Sequence, residues 1–185
     1  MAHPTLPREE VVDRLMHVFR REGYDGASLA RLSEATGLGR SSLYHHFPRG
    51  KEDMAEAVFE ASGLRAARLI LAPLAAEGPV RSRLETMARG LNEFYFDGNE
   101  SCLIELFGVG TTGLQFIPRL KRNIATLKHA IADALMEGGI AEPSALRRAE
   151  DALVSIQGSL VLARASGSTE VFRRILAELP GRLLD

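Results

Sequence analysis

Apolar residues recur at three- and four-residue spacings along nearly the whole chain, the period of a helix with one buried face. No clean alternation of apolar and polar residues marks a strand, and no Asn-Gly or Asp-Gly pair sits between β-branched runs. Val12, Leu15, Met16 and Phe19 form one stripe, which predicts a helix from about Pro7 to Glu22. Pro7 suits the first turn, Glu9 and Glu10 the positive end, and Arg20 and Arg21 the negative end, with Gly23 as the stop. Ser28 caps a short helix with Leu29, Leu32 and Ala35 inward, ended by Gly37. A second short helix runs from near Gly39 to Phe47-Pro48. A longer one begins at Gly50-Lys51-Glu52 and continues to about Leu71. Beyond the breaks at Pro73 and Gly78-Pro79, helices are expected over about 80–96, 102–107, 117–136, 143–165 and 169–184. Gly138-Gly139 closes one of these, and Ser168 is placed to cap the last. The expectation is an all-α fold of about nine helices with no internal repeat.

Composition narrows the class. A chain of 185 residues with 45% hydrophobic and 25% charged positions has the balance of a globular protein and is long enough to bury a core unaided. That balance excludes a disordered chain and a fibrous repeat, and no run approaches the roughly 18 apolar residues of a spanning helix. The first residues, Met1-Ala2-His3-Pro4, carry neither a basic start nor an apolar stretch, so no signal peptide and a cytoplasmic location are expected. A single cysteine, Cys102, excludes an internal disulfide and any zinc site with two thiolates. The net charge of −1 is unevenly spread: residues 1–51 hold eight Lys and Arg against six Asp and Glu. From Gly39 to Lys51 there are Arg40, Arg49, Lys51 and two histidines, and no acid. Such an excess matters only if the cations share a face.

The strongest feature is the stretch from Ser28 to Lys51. Two helices of about two turns joined by a short Gly-containing turn are the helix-turn-helix pattern, whose second helix enters the major groove of DNA. Leu29, Leu32, Leu38 and Leu43 can pack the hidden faces, and Gly37 tolerates the positive φ that the turn needs. Gly39, Arg40, Ser41 and Ser42 put short or donor-rich side chains at the start of the second helix. Tyr44 and His45 carry polar tips suited to phosphates. Lys51 opens the next helix, where its charge and the free N–H groups can hold another. By spacing alone, an ordinary three-helix subdomain with a solvated polar face remains open.

The run Gly37-Leu-Gly-Arg-Ser-Ser-Leu-Tyr-His-His-Phe-Pro-Arg-Gly-Lys-Glu52 resembles the DNA-binding signature of the TetR family of bacterial repressors. Tyr24 to Ala35 is similar to that family's passage from its first helix into its second, so the likeness covers about the first 55 residues. The resemblance implies that Ser28 caps the second helix and approaches a phosphate. It implies that Arg40, Ser41 and Ser42 face the groove, with Arg40 the candidate reader of guanine. It implies that Tyr44, His45 and Lys51 hold phosphates and that Phe47 is core. Two positions depart from the pattern. Gly39 stands where a serine is frequent, which weakens the cap, and His45 replaces the second aromatic of a Tyr-Tyr pair, which would make its contact pH-sensitive.

Further along, Ser159 to Ala165 with Thr169 to Ile175, and Ser101-Cys-Leu-Ile104, resemble the LmrA-type branch of C-terminal domains. The family resemblance implies a DNA-binding domain at 1–48, a ligand-binding and dimerisation domain at 49–185, and a homodimer through the helices at about 143–165 and 169–184. Val154, Gly158 and Val161 lie off the main stripe of Leu146, Ala149, Leu153, Ile156, Leu160 and Ala163. A second apolar face on a late helix is explained by a partner helix or by full burial within one subunit. The helix from Gly50 to Leu71 joins both parts and is the natural lever for a signal.

Other motifs carry less. Gly108-x-Gly110-x-x-Gly113 matches a dinucleotide-binding pattern but follows a helix rather than a strand, so a loop beside the ligand pocket is expected. Cys102 is expected to be buried, His45 and His46 point about 100° apart on a helix, and His17 and His129 are isolated. No metal, cofactor or catalytic constellation is implied.

The expected function is that of a ligand-responsive repressor, binding double-stranded operator DNA as a homodimer and released by a small, largely apolar effector. Apolar positions on the helices after the DNA-binding stretch give the candidate pocket: Leu64, Met87, Phe94, Cys102, Phe107, Phe116 and Leu127. The alternative from another class is an all-α ligand carrier or enzyme whose helix-turn-helix is architectural. Salt dependence of DNA binding separates the two.

Overall fold

The computed structural model describes residues 6–103 and 114–185, and every regular element among them is helical. Eight α-helices of seven residues or more occur there: α1 (Arg8–Gly26), α2 (Leu29–Thr36), α3 (Arg40–His46), α4 (Lys51–Ala66), α5 (Val80–Phe94), α6 (Ile117–Glu137), α7 (Glu142–Ser166) and α8 (Glu170–Leu184). The helix expected at 102–107 falls, apart from its first two residues, outside the described stretch, as does the Gly108–Gly113 motif. The chain divides into two compact units. One holds the described residues up to Leu64 with Leu103 and Leu114, and the other holds Arg65–Cys102 with Gln115–Asp185.

In the first unit the predicted stripe of α1 is buried at Val12, Leu15, Met16 and Phe19. Pro7 sits one step outside the helix, its carbonyl accepting the Val11 N–H at 3.1 Å. Gly23 breaks the helical path with φ +73°, and one further turn follows as far as Gly26. Leu32 on α2, Leu43 on α3, Phe47, and Met54, Ala55 and Val58 on α4 complete the buried set. Each large side chain of this kind contributes about 1.5–3 kcal/mol by leaving water. The expected domain boundary at 48–49 precedes α4, whereas the packing division falls at Leu64–Arg65, within α4.

In the second unit the helix expected to run on to Leu71 changes character. Ala67–Leu71 is a π turn and Ala72–Leu74 a last α turn. The reason for this tight crossing is visible at Gly90 of α5, where a Cβ would lie 1.8 Å from the Leu69 carbonyl oxygen. Arg83, buried on α5, hydrogen-bonds the Leu74 carbonyl and pairs with Glu137 at the end of α6. Helix α7 packs against both α6 and α8, and α8 also packs against α5. After α5 the backbone enters a tight turn with positive φ at Phe96 (49°), Asp97 (56°) and Gly98 (86°). The first two are strained, because a Cβ opposes the left-handed region. Arg65 stacks over the Phe96 ring at 4.7 Å and donates to the Glu93 carbonyl at 3.3 Å. A Cβ on residue 98 would meet the Phe172 ring at 2.7 Å, so glycine lets α8 close on this turn.

Apolar positions on two helices are not all buried. On α6, Ile131 and Leu135 are buried but Ile124 surfaces. On α7, Ala149, Ile156, Leu160 and Ala163 are buried while Val154 is 67% exposed, Val161 48% and Leu162 57%. With Gly158 these residues recur at i, i+4, i+7 and i+8, one continuous apolar strip facing out of the chain.

Candidate nucleic-acid interface

Helix α2, the turn and α3 are fixed by short polar side chains. Ser28 is the N-cap of α2 and its hydroxyl accepts the Arg31 N–H at 3.3 Å. Gly37 ends α2 in the left-handed region with φ +70°, as a turn of this kind requires. Thr36 is buried and donates its hydroxyl to the Leu32 carbonyl at 2.8 Å, while Ser33 donates to the Leu38 carbonyl at 2.5 Å. Arg14 from α1 donates to the Thr36 carbonyl at 3.3 Å. The turn is thus tied to both helices and to α1. Gly39 starts α3 with no side-chain cap.

Helix α3 has two unlike faces. Leu43 and, just past its end, Phe47 are buried. Gly39, Arg40, Ser41, Ser42, Tyr44 and His45 are exposed. Tyr44, 45% exposed, lies against the following turn, with its Cε1 3.1 Å from where a Cβ on Gly50 would be. Gly50 itself is buried with φ +66°. Arg49 is held by Asp53, which accepts the Arg49 backbone N–H at 2.7 Å and its Nε at 2.6 Å, and Glu52 takes Nη1 at 3.1 Å. These bonds, the backbone one first, hold the Asp53 carboxyl below its ordinary pKa.

Lys51 is half-buried at the start of α4. Its ammonium donates to the Asp25 carbonyl at 3.3 Å and sits 4.8 Å above the Tyr24 ring. Burial lowers its pKa, with the Asp25 charge acting the other way. Burial likewise raises the Tyr24 phenol, helped by Glu52 and Asp25. The arrangement is an exposed, donor-rich helix on a buried apolar base, flanked by a phenol and an ammonium. It can meet a polyanion with side-chain donors and cations together.

A family model described as bacterial regulatory proteins of the TetR family matches residues 11–58. A second, the LmrA/YxaF-like C-terminal domain of transcriptional regulators, matches residues 76–178. The chain belongs to the TetR family.

Among curated relatives, the transcriptional repressor AcnR of Corynebacterium glutamicum is 36% identical over 67 residues, which are 36% of this chain and 35% of the relative. The transcriptional regulator LmrA of Bacillus subtilis is 41% identical over 54 residues, 29% of each chain. The matched part therefore spans about a third of these relatives' length. Solved structures agree over nearly the whole fold. A TetR transcriptional regulator from Legionella pneumophila has a TM-score of 0.77 at 18% identity, covering 98% of this chain and 97% of its own. A cysteine mutant of the TetR-family regulator CifR, in complex with a 26-base-pair operator duplex, has a TM-score of 0.77 at 21% identity and covers 98% of each chain.

In this TetR-family chain all of the residues expected at DNA except the half-buried Lys51 are exposed. Gly39, Arg40, Ser41, Ser42, Tyr44 and His45 all lie exposed at or along α3, Ser28 caps α2, and Lys51 opens α4. The residues expected at an effector are dispersed by burial. Met87, Phe94, Cys102 and Phe116 are buried, Leu127 is half-buried, Leu64 is 75% exposed, and Phe107 lies outside the described residues. Cys102 sits 3.4 Å from the Tyr95 hydroxyl, which also faces Gln157 at 3.5 Å. His17 and His129 are exposed, and the His129 ring lies 2.8 Å from the Ala125 carbonyl. Sequence reasoning missed Thr36, Gly50 and Asp53, whose roles depend on turn geometry rather than on periodicity.

Proposed function

We propose that this chain is a ligand-responsive transcriptional repressor that binds operator DNA as a homodimer. The observation that carries this reading is the α2–turn–α3 pair, with its exposed donor-rich face, in a TetR-family chain. Helix α3 enters the major groove. Arg40 reads guanine through the two donors of its guanidinium, and Ser41 and Ser42 approach base edges. Ser28, Tyr44, His45 and Lys51 contact phosphates and set the register. AcnR is named a repressor and CifR is held on operator DNA, and both likenesses support this assignment.

The exposed strip of Val154, Gly158, Val161 and Leu162 on α7 is the surface for a second copy, with α8 beside it. Two recognition helices about 34–36 Å apart then meet successive grooves on one face of the duplex. The effector occupies the second unit near Met87, Phe94, Cys102, Phe116 and Leu127, and their apolar character favours a largely apolar compound. It releases DNA by binding more tightly to a conformation that does not fit the operator spacing. The chain first passes from the first unit into the second within α4, which makes that helix a covalent path for the signal. Such a regulator works in the cytoplasm.

Selection from a pool of random-sequence duplexes tests the proposal. Recovered sequences should carry two related half-sites in two-fold symmetry, mirroring the dimer. A pool that shows no enrichment after repeated rounds would refute it.

A further inference from the structure

The turn after the recognition helix does more than end it. The Gly50 N–H donates to the Phe47 carbonyl at 2.8 Å, and the Gly50 carbonyl accepts the Met54 N–H at 3.1 Å. The Asp53 carboxylate reaches back to the Arg49 N–H and Nε at 2.7 and 2.6 Å, so the turn is clamped from the first turn of α4. The Tyr44 ring lies on this clamped surface. A Cβ on residue 50 would stand 3.1 Å from Cε1 and 3.5 Å from the phenol oxygen. A side chain at residue 50 would push the ring off this seat by a few tenths of an ångström, and φ +66° at Gly50 favours glycine independently.

An exposed tyrosine that swung freely would lose rotamer freedom on meeting DNA. Here the ring is already seated. We propose that Gly50 and Asp53 are positioning residues, which hold the Tyr44 hydroxyl in place for a backbone phosphate of duplex DNA. The inference rests on the reading of α3 as the recognition helix. Asp53 and Glu52 both pair with the Arg49 guanidinium, which stays largely exposed.

The test is a double-mutant cycle on Gly50 and Tyr44, read as affinity for a fluorescent random-sequence duplex over a range of salt. Gly50→Asn accepts positive φ but adds a Cβ, so it separates the ring clash from backbone strain. Tyr44→Phe removes the hydroxyl alone. Each should weaken binding by about three- to tenfold, the worth of one hydrogen bond. The double variant should be no weaker than Tyr44→Phe, and the salt slope should be unchanged because no cation is lost. Asp53→Asn should lie between the wild type and Gly50→Asn. Thermal melts by circular dichroism establish that each variant is folded.

Gly50→Asn binding as tightly as the wild type would overturn the proposal. So would a Gly50→Asn loss of equal size with and without the Tyr44 hydroxyl. If the wild type itself shows no salt-dependent binding to duplex, the recognition-helix reading fails and takes this inference with it, a result distinct from additivity in the cycle.

Discussion

Arg40 stands at the first position of α3, where a long cationic side chain with five N–H donors is exposed beside two serines. A bidentate contact to guanine is worth about 1–3 kcal/mol of discrimination. Arg40→Ala is therefore expected to weaken binding to the selected duplex by about 1–3 kcal/mol while changing affinity for random duplex much less. Equal losses on both would show that Arg40 is not a reader. Lys51 should behave in the opposite way. Its ammonium rests on Tyr24 and the Asp25 carbonyl, close to the chain start of α4. Lys51→Ala should weaken all duplexes alike and flatten the salt slope by about 0.9, and an unaltered slope would remove it from the phosphate contacts. Asp53 makes a prediction about acid stability. Its folded pKa lies below the ordinary 3.8, so the stabilisation it brings is complete above about that pH and is lost as pH falls through the lower folded value. Asp53→Asn should remove the part of the acid-limb slope seen in melts below about pH 4. An identical slope in both proteins would contradict the clamp.

At the scale of the element, the crossing of the π turn and α5 is the most exacting contact in the second unit. A methyl group at residue 90 would overlap the Leu69 carbonyl oxygen at 1.8 Å, and neither partner is the loose end of a side chain. Gly90→Ala is expected to cost about 2–3 kcal/mol, seen as a lower Tm, because two backbones must separate. A melt unchanged from wild type would mean that the crossing relaxes freely. The same element marks how far the sequence can be read. Amphipathic stripes, together with Gly and Pro breaks, announced seven of the eight described long helices closely, since burial of one face at period 3.6 is a direct imprint of packing. They also announced the start of α4. They did not announce its change to a π turn at Ala67–Leu71, because that depends on a small residue 21 positions further on in another helix. The site divides in the same way. Ser28, Gly37 and the exposed face of α3 follow from capping and turn rules and are where those rules put them. Thr36 and Asp53 act through hydrogen bonds to backbone groups across a turn, and neither interrupts any periodic pattern. The effector residues were chosen by apolar character alone. That criterion selects core and ligand contacts alike, which is why Met87 and Phe116 emerge simply as buried.

For the whole molecule the decisive surface is the outer strip of α7. Val154, Val161 and Leu162 are each about half exposed or more, on one face of a 25-residue helix. Scattered exposed apolar residues are ordinary, but a continuous strip next to a second long helix is the pattern of an interface. Val154→Glu combined with Val161→Glu should turn a dimer into a monomer in sedimentation equilibrium and, with the second half-site gone, weaken operator binding by orders of magnitude. A double variant that still sediments as a dimer would place the interface elsewhere. The central claim is more basic: an acidic chain with pI ≈ 6.5 binds DNA through the exposed, donor-rich face of α3. The most direct test is the affinity of the purified protein for the selected duplex and for a scrambled one at several salt concentrations. The account predicts tighter binding to the selected duplex, and a linear fall of log affinity with log salt at a slope of about −0.9 for each phosphate neutralised. Absence of binding, or binding indifferent to both salt and sequence, would contradict it.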